Sequence, residues 1–326
     1  MKHDNDTIVR DICIATGAVT AACIASLATT AKYLFHFCID TQWKRSVFHQ
    51  SLIAPERIEK LQQGEAQEAG EWFAQAKQPV TITSDDGLRL HGWLFDPDCT
   101  APKPHLYAIC MHGYTGVPEE TAKWAHRYAR MGFTVLVPSQ RAQDLSEGRY
   151  VGMGWLDRED ILRWIDFILA DDPQAEIVIH GISMGAATTM MTAGEDTPEN
   201  VKVFIEDCGY TSVWDVFSSE LQLRFGLPEF PILYTASGVA KLRAGYTFGE
   251  ASALRQVENC EKPMLFIHGT ADDFIPYEMM DELYNAKPGD NKAELTADGA
   301  GHGEAMYALG DTYWDTVFDF IEPYMN

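Results

Sequence analysis

The chain has 326 residues, enough for one large domain or two modest ones, so a core can be buried without help from disulfides or metals. Lys and Arg number 25 against 48 Asp and Glu, a formal charge of −23; such a field repels a polyanion, which excludes nucleic acid as a principal partner. A hydrophobic content of 46% with 8 Trp, 13 Tyr and 16 Phe excludes a disordered acidic chain, which lacks aromatics.

Ile12 to Ala31 is a run of 20 uncharged residues, and as a helix it would span roughly 30 Å, the hydrocarbon thickness of a bilayer. Thr16, Thr20, Ser26, Thr29 and Thr30 dilute its apolar character, so a cleaved signal peptide and a packing helix stand beside the leading reading, a single-pass membrane anchor. Ala21-Ala22-Cys23 is a weaker lipoprotein-like pattern, since Thr20 stands where Leu is expected. The acidity of the rest of the chain favours a short N-terminus inside the cell and a large domain outside the cell membrane. Residues 1–40 are thus expected to be anchor or signal, and 41–75, polar and helical around Pro55 to Gln67, a lead-in. A chain starting near Gln42 is expected to keep activity, because every strand lies downstream.

From residue 76 to the C-terminus the pattern changes. Val80 to Ser84 and Leu88 to Phe95 flank Asp85-Asp86-Gly87, which reads as a β-hairpin. Extended runs at His105 to Met111, Thr134 to Val137, Glu176 to His180 and Val201 to Glu206 then alternate with helical stretches near Glu119 to Met131, Asp157 to Leu169 and Gly185 to Ala193. The middle helix carries Ile161, Trp164, Ile165 and Ile168 on one face. From about 210 to 260 aromatic and apolar residues appear without a strand period, an insertion that reads as a helical cap. Strands at Pro263 to His268 and Lys292 to Thr296, with helices near Tyr277 to Asn285 and Asp311 to Tyr324, complete the pattern. The alternation predicts an α/β fold, a mostly parallel sheet flanked by helices, with its site at the carboxyl ends of the strands. No C-x-x-C pair occurs among the seven cysteines, so a zinc ribbon or thioredoxin-like site has no signature; Cys110 and Cys208 read as buried in strands, and a Cys99–Cys260 disulfide is conceivable.

Gly181-Ile182-Ser183-Met184-Gly185 follows a strand and opens a helix, the setting in which G-x-S-x-G places a nucleophile on a strained turn. The Met184 N–H, at the helix N-terminus, is then a candidate donor to a developing oxyanion. A serine hydroxyl needs a base, and a histidine base needs a carboxylate. Asp272, after the strand ending at His268, and His302, after the last strand, supply them in the order Ser, Asp, His.

Five ordered motifs carry a resemblance: His112-Gly113-Tyr114, Gly154-Trp155-Leu156-Asp157-Arg158, the Ser183 turn, Glu206-Asp207-Cys208-Gly209-Tyr210, and the Asp272 and His302 loops. From about Val80 onward the chain resembles the α/β-hydrolase superfamily, more narrowly the membrane-anchored serine hydrolases of Gram-positive bacteria. The resemblance implies that Tyr114, following the His-Gly pair, gives the second oxyanion N–H beside Met184. It departs from the family pattern at Arg141-Ala142-Gln143-Asp144, where Arg-x-His-Gly is usual.

Asp273 and Asp207 compete with Asp272 as the acid; the His-Gly-x-x-Asp frame favours Asp272. His112, His180 and His268 read as core or supporting histidines, and Asp157, Arg158 and Arg141 as salt-bridge or helix-capping residues. The resulting expectation is a carboxylesterase-like serine hydrolase without metal or organic cofactor, acting on a small-molecule ester. A serine peptidase acting on extracellular peptides and a non-catalytic ligand-binding surface protein are the alternatives.

Overall fold

A computed structural model describes residues 25–49 and 64–325. Eight strands form one sheet: β1 (Gln78–Thr83), β2 (Arg89–Phe95), β3 (Leu106–Met111), β4 (Thr134–Pro138), β5 (Glu176–Ile182), β6 (Val201–Asp207), β7 (Met264–Gly269) and β8 (Lys292–Ala297). The order is β1-β2-β4-β3-β5-β6-β7-β8. β1 and β2 pair antiparallel around the Asp-Gly turn, β2 pairs antiparallel with β4, and every later neighbour is parallel. β3, β5, β6 and β7 are almost wholly buried, as their unbroken apolar runs require of strands covered on both faces.

Two apolar layers sandwich the sheet. On one face the helix Asp157–Asp171 lays down Ile161, Trp164, Ile165 and Ile168, none more than 2% exposed, beside the helix Met184–Ala193, which is buried all round. On the other face, Ala122–Arg130 and Asp311–Ile321 contribute Tyr128, Tyr313, Trp314 and Val317. The helix Glu65–Ala76 joins this layer through Ala69 and Phe73, one turn apart and fully buried. Between β6 and β7 stand two cap helices, Val213–Phe225 and Glu229–Ala244, followed by the short helix Ala253–Val257. Tyr246 and Phe248 are buried in the apolar layer that the cap shares with the sheet, Tyr246 O–H donating to Val151 O at 2.8 Å, whereas Leu223, Phe225, Phe230 and Tyr234 are exposed. Cys99 and Cys260 are free thiols, so the conceivable disulfide is absent.

The N-terminal region differs from expectation where it is described. Residues 1–24, most of the uncharged run, and 50–63, most of the helical lead-in, lie outside the described residues. Residues 25–39 form a helix that docks on the hydrolase core: Ala31, Phe35 and Ile39, at i, i+4 and i+8, are all 0% exposed. Its end is tied down by Val151 N–H donating to Ile39 O at 3.0 Å and Thr41 N–H to Arg149 O at 3.0 Å. Asp40, fully buried, accepts from Arg149 at 2.9 and 3.1 Å and lies 2.7 Å from His36. Among the described residues no helix is long and apolar enough to cross a membrane.

Candidate active site

The glycines around Ser183 are dictated by space. A Cβ on Gly181 would lie 2.0 Å from Gly185 O, and one on Gly185 would lie 2.4 Å from Met111 O; only bare backbone lets strand, turn and helix approach so closely. Ser183 itself takes φ 59°, in the left-handed region, a strained conformation that lifts a side chain out of the turn. Its N–H donates to Asp207 O at 2.8 Å, which ties the turn to β6.

Three loops at the carboxyl ends of β5, β7 and β8 converge here. The Ser183 hydroxyl donates to His302 Nε2 at 2.8 Å, and His302 Nδ1–H donates to Asp272 Oδ2 at 2.7 Å. Asp272 is held on every side: Oδ1 accepts from Phe274 N–H at 2.9 Å and Ile275 N–H at 2.8 Å, while His268 Nε2 donates to Ile275 O at 3.0 Å and lies 3.3 Å from Oδ2. Burial pushes the Asp272 carboxyl up, yet the hydrogen bonds from His268 and His302 and the His302 charge hold it well below the usual carboxylate range. It is therefore an ionised acceptor at neutral pH.

The competing carboxylates sit elsewhere. Asp273 is exposed. The Asp207 side chain accepts from Tyr313 O–H at 2.8 Å, inside a network where Trp124 Nε1–H donates to the same hydroxyl at 3.1 Å and His180 lies 3.0 Å from it. Burial pushes Asp207 up to about 6 and its neighbour Glu206 up to about 8. His180 is fully buried in this network, where desolvation lowers it to about 3, so it is a neutral core histidine.

The segment after β3 lies directly against the serine: a Cβ on Gly113 would come 3.2 Å from Ser183 Cβ and 3.6 Å from its Oγ. His112, lowered by burial to about 4, is neutral; its Nε2 accepts from Gln140 N–H at 3.2 Å and its Nδ1–H donates to Gly113 O at 2.9 Å. Gln140 also donates to His112 O. Residue 114 is thereby carried to the side of Ser183, and Met184 opens the helix behind it. The Tyr114 hydroxyl reaches back to donate to Cys38 O, at the end of helix 25–39, and its ring meets Phe48 edge-on at 5.1 Å.

The remaining wall comes from the cap and the Asp272 loop. Phe274 lies 5.1 Å from the His302 ring, and the Arg224 guanidinium stands 5.7 Å over Phe274. Arg224 pairs with Glu220 one turn earlier on the first cap helix; burial raises the Glu220 carboxyl. Cys38 faces the same pair, and burial pushes its thiol up to about 12. Sequence reasoning missed Cys38, Phe48, Glu220 and Arg224, for which no motif gives a signal. Arg141 forms ion pairs with Asp160 at 2.6 Å and Asp86 at 3.0 Å, and Asp157 accepts from Gly154 N–H at 2.8 Å; these are structural contacts away from Ser183.

Among the described residues, the ligating atoms of Cys208, Asp272 and His302 fall within 4.8 Å of one another, close enough to share a metal ion. The donor chemistry fits poorly. The same Asp272 and His302 groups are engaged with each other, and burial beside Asp207, Asp272 and Glu206 holds the Cys208 thiol protonated. The arrangement instead suits proton transfer between a hydroxyl and an imidazole held by an ionised carboxylate.

Comparison with known proteins bears on the family and the fold. A model of the prolyl oligopeptidase family matches residues 122–326. The YqkD protein of Bacillus subtilis is 30% identical over 247 residues, 76% of this chain and 79% of that protein. Among solved structures, the Pyrococcus furiosus esterase Pf2001 superposes with TM-score 0.60 at 21% identity, covering 78% of this chain and 95% of the esterase. The Pyrococcus horikoshii acylaminoacyl peptidase superposes with TM-score 0.55 at 20% identity, over 78% of this chain and 43% of the peptidase. With more than half of its length matched, the chain belongs to the prolyl oligopeptidase family and is a serine hydrolase of the α/β-hydrolase class.

Proposed function

We propose that the enzyme cleaves carboxylic esters of small molecules through an acyl-enzyme on Ser183. Ser183 Oγ attacks the carbonyl carbon while its proton passes to His302 Nε2; the C–O bond then breaks, and the leaving alkoxide takes that proton. Water, deprotonated by His302, attacks the acyl carbonyl, and Ser183 leaves with the proton returned. Asp272 holds the imidazole in the tautomer that can accept at Nε2, and the Tyr114 and Met184 N–H groups stabilise the oxyanion in both halves. The observation that carries this reading is the continuous chain from Ser183 Oγ to His302 (2.8 Å) to Asp272 (2.7 Å).

An ester is favoured over a peptide by the close walls: Ser183 is only 7% exposed, with Phe274 and the Glu220–Arg224 pair close to His302. The peptidase alternative draws on the family name and the acylaminoacyl peptidase likeness. The test is fluorophosphonate labelling, followed by kcat/KM for p-nitrophenyl esters of graded acyl length against acyl-aminoacyl p-nitroanilides. Higher values for the anilides would overturn the ester assignment, and absence of labelling would favour the non-catalytic reading.

The uncharged run ahead of Ala31 is proposed to tether the enzyme to the cell membrane with its catalytic domain outside. Full-length protein recovered uncleaved in the soluble fraction would contradict the tether.

A further inference from the structure

We propose that the carboxyl end of the N-terminal helix is a positioning element of the active site, setting the oxyanion-binding loop through the Tyr114 side chain. This rests on the reading of Ser183 as nucleophile and of the residue 114 N–H as an oxyanion donor. The last carbonyls of a helix have no partner within it and carry the negative end of its dipole. The Tyr114 hydroxyl donates to one of them, Cys38 O, across 76 residues of sequence. Phe48, in the segment following the helix, closes on the tyrosine ring at 5.1 Å. One side chain therefore joins a helix end to the loop whose backbone lies against Ser183.

The helix end is a firm reference point. Ala31, Phe35 and Ile39 are fully buried, and the Phe35 ring packs 5.3 Å from that of Tyr150. Asp40, also fully buried, is held by Arg149 and His36, and backbone hydrogen bonds join Ile39 to Val151 and Thr41 to Arg149. The loop it steadies needs that support. Thr115 sits at φ 60°, a left-handed conformation costly for a β-branched residue, and Gly116 N–H closes a tight turn on Gly113 O at 3.1 Å. His112 and Gln140 fix the entry to the loop, and Tyr114 fixes its middle. An oxyanion donor acts only if it is aimed in advance at the site of developing charge, so a displaced residue 114 lowers turnover more than ground-state binding.

Tyr114→Phe keeps the backbone N–H and the ring and removes only the tether. Steady-state hydrolysis of p-nitrophenyl butyrate by full-length protein, with kcat expressed per fluorophosphonate-titrated site, should show kcat lowered roughly 10- to 100-fold and KM changed less than about twofold. That loss lies at or below the 10² to 10³ that accompanies complete removal of one oxyanion donor. Arg149→Ala, which releases the helix end from outside the site, should lower kcat in the same sense. If both act through one tether, the double variant falls short of the product of the two single effects. An unchanged kcat in Tyr114→Phe, or strictly multiplicative losses in the double variant, would overturn the inference. Failure of the underlying reading is separately visible, because Ser183→Ala would then keep its activity.

Discussion

The two sides of the site are built by different means. Ser183, Asp272 and His302 stand on loops that leave β5, β7 and β8, and ladder hydrogen bonds within one sheet fix their separation. The facing side, made by Cys38, Phe48, Glu220 and Arg224, comes from helix 25–39, the segment after it and the first cap helix, held by side-chain packing and by the ion pair of the buried Asp40 with the half-exposed Arg149. The difference teaches where tolerance should lie. On the proposed mechanism the chemistry depends on the sheet side, where a single lost group should not be replaced, and the helical side aims and covers, so losses there should be graded.

The sharpest way to break this division is Ser183→Ala, expected to abolish fluorophosphonate labelling and cut ester turnover by roughly 10³- to 10⁶-fold with the melting curve unchanged. Labelling at another serine would end it. Next comes Asp272→Asn, which leaves packing intact but favours the wrong imidazole tautomer, a change that costs on the order of 10⁴-fold in serine proteases. Asp207→Asn should cost far less in rate, since its side chain turns to Tyr313 at 2.8 Å. A greater rate loss for Asp207→Asn at equal folded fraction would move the acid to β6. On the helical side, Phe35→Ala should destabilise the fold by about 3 to 5 kcal/mol, as for other fully buried phenylalanines, read by urea unfolding. A loss within about 0.5 kcal/mol, typical of a surface position, would mean that the helix is not docked in solution.

The smallest effect concerns pH. Burial raises Glu206 to about 8 in the folded state, so between the ordinary glutamate range and that value the unfolded chain has released a proton that the folded chain keeps. Unfolding then releases protons, and stability falls as pH rises through this window. Glu206→Gln, which can still accept from Gly209 N–H, should flatten that fall between about pH 5 and 8. Parallel slopes for the two proteins would show that Glu206 is ionised in the fold.

The sheet side was legible because each of its signals is local. The Ser183 turn needs two glycines next to it, and the hairpin at Asp86-Gly87 places Gly87 at φ 85° as such a turn demands. The choice of Asp272 over Asp207 rested on the His-Gly-x-x-Asp frame from His268 to Asp272, which is also local. The helical side was illegible for a physical reason. An apolar stripe such as Ala31, Phe35 and Ile39 is equally suited to lipid and to a protein core, and hydrophobicity alone does not tell the two apart. A chain starting near Gln42, which the sequence leads one to expect to keep its activity, would lack all three residues and the Cys38 carbonyl. Glu220 and Arg224 were hidden because the cap has no strand period and its contacts join residues far apart in sequence.

The raised pKa of Glu206 changes how the chain's charge bears on the reaction. A formal −23 is an unfavourable background on which to build a negatively charged tetrahedral intermediate. Glu206 lies just beneath the turn that holds Ser183, one residue before the Asp207 carbonyl to which that turn is bonded. Kept protonated at neutral pH by its own burial, it contributes a dipole there instead of a full charge. Of the carboxyls grouped beneath Ser183 and His302, Glu206 thus adds no full charge to those of Asp207 and Asp272.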